Sequence, residues 1–142
     1  MTGKRAAMLI GIGHFVDDRL TDLHSSINGV SELAAVLADP QIGDYEVTTM
    51  IDIGTHEVMA GVERFFGERG VDDLVLFYVS THGLLDPRGR LYFATSDTRT
   101  DLLASTALSS QFLVELMDDC RARRQVVLID SSFSGAFARG TR

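Results

Sequence analysis

At 142 residues, with 45% of them apolar, the chain has the material for one domain with a real core. Acidic residues outnumber basic ones 20 to 13, a net charge of −7, which argues against nucleic acid or an anionic membrane surface as the main partner. One cysteine excludes an internal disulfide framework and points to a reducing, cytoplasmic setting, while four scattered histidines without HxxxH or CxxC spacing give no expectation of a metal.

The start, MTGKRAAMLIGIGH, pairs Lys-Arg with a short apolar run, but no small-residue cleavage site follows and Gly11-Ile12-Gly13 reads as a strand end. No apolar run reaches the roughly 18 residues that cross a bilayer. AAMLIGIG (6–13) is continuously apolar, as a strand buried on both faces should be. Ile27, Val30, Leu33, Ala34 and Leu37 have helical spacing, and Asp39-Pro40 closes that helix. YEVTTMI (45–51) is a β-branched strand. Thr55 is expected to cap a helix that turns Val58, Val62, Phe65 and Phe66 inward and stops at Gly70. DLVLFYVS (73–80) is the clearest strand, and residues 86–94 read as a hairpin around Pro87-Arg88-Gly89. Ser109 caps a helix presenting Phe112, Leu113, Leu116, Met117 and Cys120, and QVVLID (125–130) is the last strand. The order β-α-β-α-β-hairpin-α-β means an α/β fold, a mostly parallel sheet with helices on both faces.

In such sheets functional groups gather beyond the carboxyl ends of the strands. Ser80-Thr81-His82-Gly83 follows the third strand and Asp130-Ser131-Ser132-Phe133-Ser134-Gly135 the fourth. Adjacent parallel strands would bring the two loops together and set one imidazole beside a hydroxyl cluster. Simpler motifs fail. A nucleophile elbow at Ser134 needs Gly where Ser132 stands, a dinucleotide fingerprint needs a third glycine where Val16 stands, and there is no phosphate-binding GxxxxGK[ST] loop. Cys120 sits on an apolar helix face and reads as a small core residue.

LFYVSTHG (76–83) and VVLIDSSFSGAF (126–137), with LIGIGH and LHSSINGVSELAAVL before them, resemble the caspase-like (clan CD, C14) cysteine peptidases. The similarity is greatest to the bacterial metacaspase-like or orthocaspase branch, and it spans roughly residues 5–140. It implies a three-layer α/β/α sandwich, of which this chain is the large, His- and Cys-bearing segment. It implies His82 as general base, the Gly83 N–H as an oxyanion donor, and Ser132 at the position of the nucleophilic cysteine. A thiol with pKa ~8.5 ionises readily beside an imidazole, whereas a serine hydroxyl needs a tightly oriented base. The chain as written is therefore expected to be inactive. Either a Cys→Ser exchange has been imposed on an otherwise intact motif, the favoured explanation, or the chain is a natural pseudoprotease acting as scaffold or binding module.

The same resemblance implies cleavage after Arg or Lys, with Asp130 as an acid of the first substrate pocket. Gly29 stands where the family's other acid would fall, and no basic residue near Leu23 suggests cleavage after Asp. Thr81 replaces the family's usual glycine. The chemistry requires no cofactor and no metal. The implied partners are a protein or peptide substrate, the small segment of the same protease, and a sensor or adaptor module. Gly140-Thr141-Arg142 would suit an Arg-specific maturation cut. Bacterial relatives serve stress responses, cell death or antiphage defence.

Overall fold

The computed structural model describes residues 3–133. Its elements are β1 (Arg5–Gly11), α1 (His24–Ala38), β2 (Glu46–Ile51), α2 (Thr55–Gly67), β3 (Leu74–Leu85), β4 (Leu91–Phe93), α3 (Leu103–Thr106), β5 (Leu108–Ser109), α4 (Ser110–Asp119) and β6 (Arg124–Phe133). Four strands run parallel in the spatial order β2-β1-β3-β6, and β4 and β5 extend the sheet antiparallel from the carboxyl end of β3.

β1 lies between β2 and β3 with Ala6 to Ile10 wholly buried, which is why it is apolar on both faces. One face packs Met8, Ile10, Phe77 and Val79 against Val58, Val62, Phe65 and Phe66 of α2 and Leu113 of α4. The other packs Ala7, Leu9 and Leu76 against Val30, Leu33, Ala34 and Leu37 of α1. The expected three layers are thus present, with two helices over one face and one over the other. α1 sits close to the end of β1 because Gly11 and Gly13 lack side chains: a Cβ would lie 2.7 Å from Val30 Cγ2 at Gly11 and 2.6 Å from the Leu23 carbonyl at Gly13.

Several local expectations need correction. Gly54, not Thr55, is the N-cap of α2. The Thr55 hydroxyl is turned instead into a buried cluster with Thr95 Oγ1 (2.6 Å) and the Thr106 carbonyl (2.6 Å). α2 ends at Gly67 rather than Gly70, whose N–H donates to Asp73 Oδ2 at 2.7 Å and so belongs to the turn into β3. Ser109 does cap α4, accepting from the Phe112 N–H at 2.9 Å. The hairpin turn is closed by Asp86, which accepts from Arg88 and Arg90 N–H groups, with Gly89 at φ +79°.

Candidate active site

The two strands that carry the candidate residues are longer than expected. β1 ends at Gly11 opposite Ser80, but the β3 edge it leaves is taken over by the hairpin: the Ile12 N–H reaches the Ser80 carbonyl and the Ala94 N–H reaches that of His82, each at 3.0 Å. β6 continues along the opposite edge as far as Gly83↔Phe133. Held from both sides, residues 81–85 stay extended. His82, Gly83 and Asp130 to Phe133 are accordingly strand residues, not loop residues.

Alternation then sorts the side chains of β3. Val75, Phe77, Val79 and Thr81 form one row, facing the α2–α4 core; Leu76, Tyr78, Ser80 and His82 form the other, on the α1 side. This second row turns from apolar to polar toward the carboxyl end. In β6 the matching positions are Val126, Leu128, Asp130 and 132. Position 132 is the direct register partner of His82, while Ser131 pairs with Thr81 and belongs to the other row. Register therefore singles out 132, not 131, as the position beside the imidazole. Residues 134–142, with Ser134, Gly135 and the Gly140-Thr141-Arg142 stretch, lie outside the described residues.

His82 is only 6% exposed. Its Nε2 lies 2.8 Å from the Thr21 carbonyl oxygen, which can only accept, so Nε2 carries the proton. Nδ1 is buried with no hydrogen-bond partner among the described residues. The Phe15 ring packs on the imidazole with centroids 5.0 Å apart. The segment that supplies both supports is laced down: Val16 N–H to the Ser96 carbonyl at 2.9 Å, Leu23 N–H to the Gly13 carbonyl at 2.7 Å, and Thr100 N–H to Asp17 Oδ2 at 2.7 Å. Backbone N–H donation from Thr100 and then Arg19 holds the Asp17 carboxyl below its ordinary value. The arrangement is that of an oriented base: one nitrogen anchored, the other bare.

Two residues along the same row, Asp130 is exposed and its Oδ2 accepts from Tyr78 Oη at 3.3 Å. Ser80 Oγ, beside Asp130 in register, is bonded to Ser26 Oγ of α1 at 2.8 Å. Gly29 of α1 also faces this group, since a Cβ there would lie 3.9 Å from Tyr78 Oη. Gly83 follows His82 in β3, with Phe93 and Phe133 as its register partners. Cys120 is partly buried and packs against the main core, in keeping with a core role. Among the described residues no group of three His, Cys, Asp or Glu side chains could hold a metal ion, and no helix is long and apolar enough to cross a membrane.

Sequence reasoning missed Thr21, Phe15 and Tyr78. Thr21 acts through a carbonyl that every residue type possesses, so no signal marked it. Phe15 falls between the first strand and the first helix, in a stretch with no pattern to mark it. Tyr78 had a signal: two positions before Ser80 and four before His82, it shares their side of the strand.

A caspase-domain family model matches residues 4–141. Among solved structures, protein GSU0716 from Geobacter sulfurreducens superposes with a TM-score of 0.68 at 19% identity, covering 92% of this chain and 50% of that one. Caspase-1 from Spodoptera frugiperda gives 0.64 at 18% identity, covering 91% and 48%. Likeness at such identities is one of fold, and the chain spans about half the length of both proteins. No curated protein sequence matches it. The sheet order, the two polar strand ends and a family match over nearly the whole length lead to one conclusion: the chain belongs to the caspase-domain family, peptidase family C14.

Proposed function

We propose that this chain supplies the histidine and the nucleophile position of a caspase-like cysteine endopeptidase that cuts after Arg or Lys, and that the form carrying Ser132 does not turn over. The observation that carries the proposal is the state of His82: Nε2 tied to Thr21, Nδ1 buried and bare, and position 132 its register partner. With a thiol at 132, His82 Nδ1 takes the thiol proton, the thiolate attacks the scissile carbonyl, and the same nitrogen returns the proton to the leaving amine. The Gly83 N–H donates to the oxyanion, and water then releases the acyl group. With serine there, a far weaker acid must be activated by the same imidazole, and acylation stalls. Asp130 provides the negative charge for a basic side chain in the first pocket.

The partner in this reading is the small segment of the same protease. It is supported by β6, which pairs only with β3 among the described residues and leaves its other edge open. The resemblance to bacterial metacaspase-like proteins supports a role in stress response, cell death or antiphage defence, with a sensor or adaptor module attached. A second reading, a pseudoprotease that binds rather than cuts, is favoured by Ser132 itself. The test uses the Ser132→Cys form assembled with its small segment, on matched peptides ending in Arg, Lys, Asp and Ala. Cleavage after Arg that His82→Ala lowers by about 10³-fold or more is the expected result. A folded two-chain complex that cuts none of them would leave the scaffold reading.

A further inference from the structure

We infer that Tyr78 sets the preference between arginine and lysine in the first substrate pocket, by holding the Asp130 carboxylate in one orientation through the Tyr78 Oη to Asp130 Oδ2 hydrogen bond. The inference rests on the reading of Asp130 as the acid of that pocket.

Asp130 is exposed on an edge strand, and Tyr78 is the one side-chain partner it has among the described residues. Its register neighbour Ser80 is committed to Ser26 at 2.8 Å. Without the phenol, no other side chain among the described residues would fix the carboxylate plane. Tyr78 is itself well held: half-buried in β3, between Leu76 and Ser80 in its row and against α1. Burial pushes its phenol above the ordinary range and the Asp130 charge adds to this, against an opposing pull from the Ser80 hydroxyl, so the O–H remains a donor well into alkaline solution.

The two basic side chains feel an oriented carboxylate differently. A guanidinium is planar and bonds both carboxylate oxygens through a rigid fork, so it needs the plane set in advance. An ionised carboxylate has about four lone-pair positions; the phenol takes one and leaves enough for the fork. An ammonium is a compact charge that rotates to suit whatever oxygen it meets. Tyr78 thus acts through Asp130 as a positioning residue, and its removal weakens arginine binding more than lysine binding. His82 and position 132 lie beyond it in the row and keep their geometry.

The test uses the complete protease in its Ser132→Cys form, with matched Arg and Lys peptides and the variants Tyr78→Phe and Asp130→Asn. In Tyr78→Phe, kcat/KM for the Arg peptide is expected to fall about tenfold, through KM, while the Lys peptide loses less than about threefold and kcat holds for both. An equal loss for both peptides, or a fall carried by kcat, would overturn the role of Tyr78 while leaving the basic pocket intact. A parent enzyme that ignores basic peptides, or cuts them equally well as Asp130→Asn, would overturn the reading of Asp130 and this inference with it. Phenolate absorbance provides a check that needs no Tyr78 variant: Asp130→Asn should lower the pH at which the Tyr78 phenol ionises. An unchanged titration would show that the pair does not form and would also overturn the inference.

Discussion

A histidine has two ring nitrogens, and in His82 only one of them is engaged. The Thr21 carbonyl accepts at 2.8 Å from Nε2, and Nδ1 is buried without a described partner. That anchoring chooses a tautomer without any charged orienting residue. We expect nitrogen-15 spectra of the neutral His82 imidazole to show the proton on Nε2 and none on Nδ1; the opposite tautomer would remove the basis for calling it an oriented base. Little of this was legible from residues alone. His82 stood out because it follows the most apolar strand, but its anchor is a backbone atom 61 positions away in the chain.

At the level of elements, the strands and helices were readable because the sheet is sandwiched: buried strands must be apolar on both faces, and the helices covering them must repeat every three to four residues. The ends were not readable. The polar tips of β3 and β6 look like loops, yet each is held extended by neighbours distant in sequence. Thr55 looked like a cap, yet tertiary partners claim its hydroxyl. The short α3 and β5 carry no pattern long enough to stand out. One link between elements does yield a number. Asp73, buried at the start of β3, accepts from the Gly70 N–H at 2.7 Å and the Lys4 N–H at 2.9 Å, which ties the α2–β3 turn to the start of β1. Those bonds, Gly70 first and Lys4 second, hold its carboxyl below the ordinary 3.8. A lowered folded-state value means the contribution is complete above the ordinary carboxyl range and is lost as pH falls through the folded value. Asp73→Ala is expected to lower stability by about 2 kcal/mol in urea unfolding at pH 7, and the gap from the parent should narrow as pH falls below the ordinary carboxyl range. A gap independent of pH would mean that packing, not charge, is what Asp73 supplies.

For the whole molecule, the edge of β6 that has no strand partner among the described residues matters most. Val126, Leu128 and Ile129 are 45%, 45% and 51% exposed, an unusual apolar load for a strand edge. The net charge of −7 opposes association between copies, but charge acts over the whole surface and an unpaired strand edge acts at contact. The isolated chain should therefore self-associate at high concentration. Leu128→Lys should shift its sedimentation toward monomer while changing unfolding free energy by no more than about 0.5 kcal/mol, since the side chain is half in solvent already. Association that Leu128→Lys leaves untouched would place the contact elsewhere. This edge was foreseeable from the family resemblance, which implies a small segment beyond the last strand, and not from element order, since β1 comes first in the chain yet lies inside the sheet.

The pairing of β3 with β6 also has a consequence in time. Tyr78 and Asp130, like His82 and position 132, meet only through that ladder, and Tyr78 and Asp130 are 52 positions apart. At ribosomal rates of about 5–20 residues per second, the histidine strand is complete some 3–10 s before its partner strand has been made. During that interval β1, β2 and β3 can pair, yet neither the Tyr78–Asp130 bond nor the pairing of His82 with position 132 can form. The order of synthesis thus leaves this polar row incomplete until the last strand of the sheet has been made and paired.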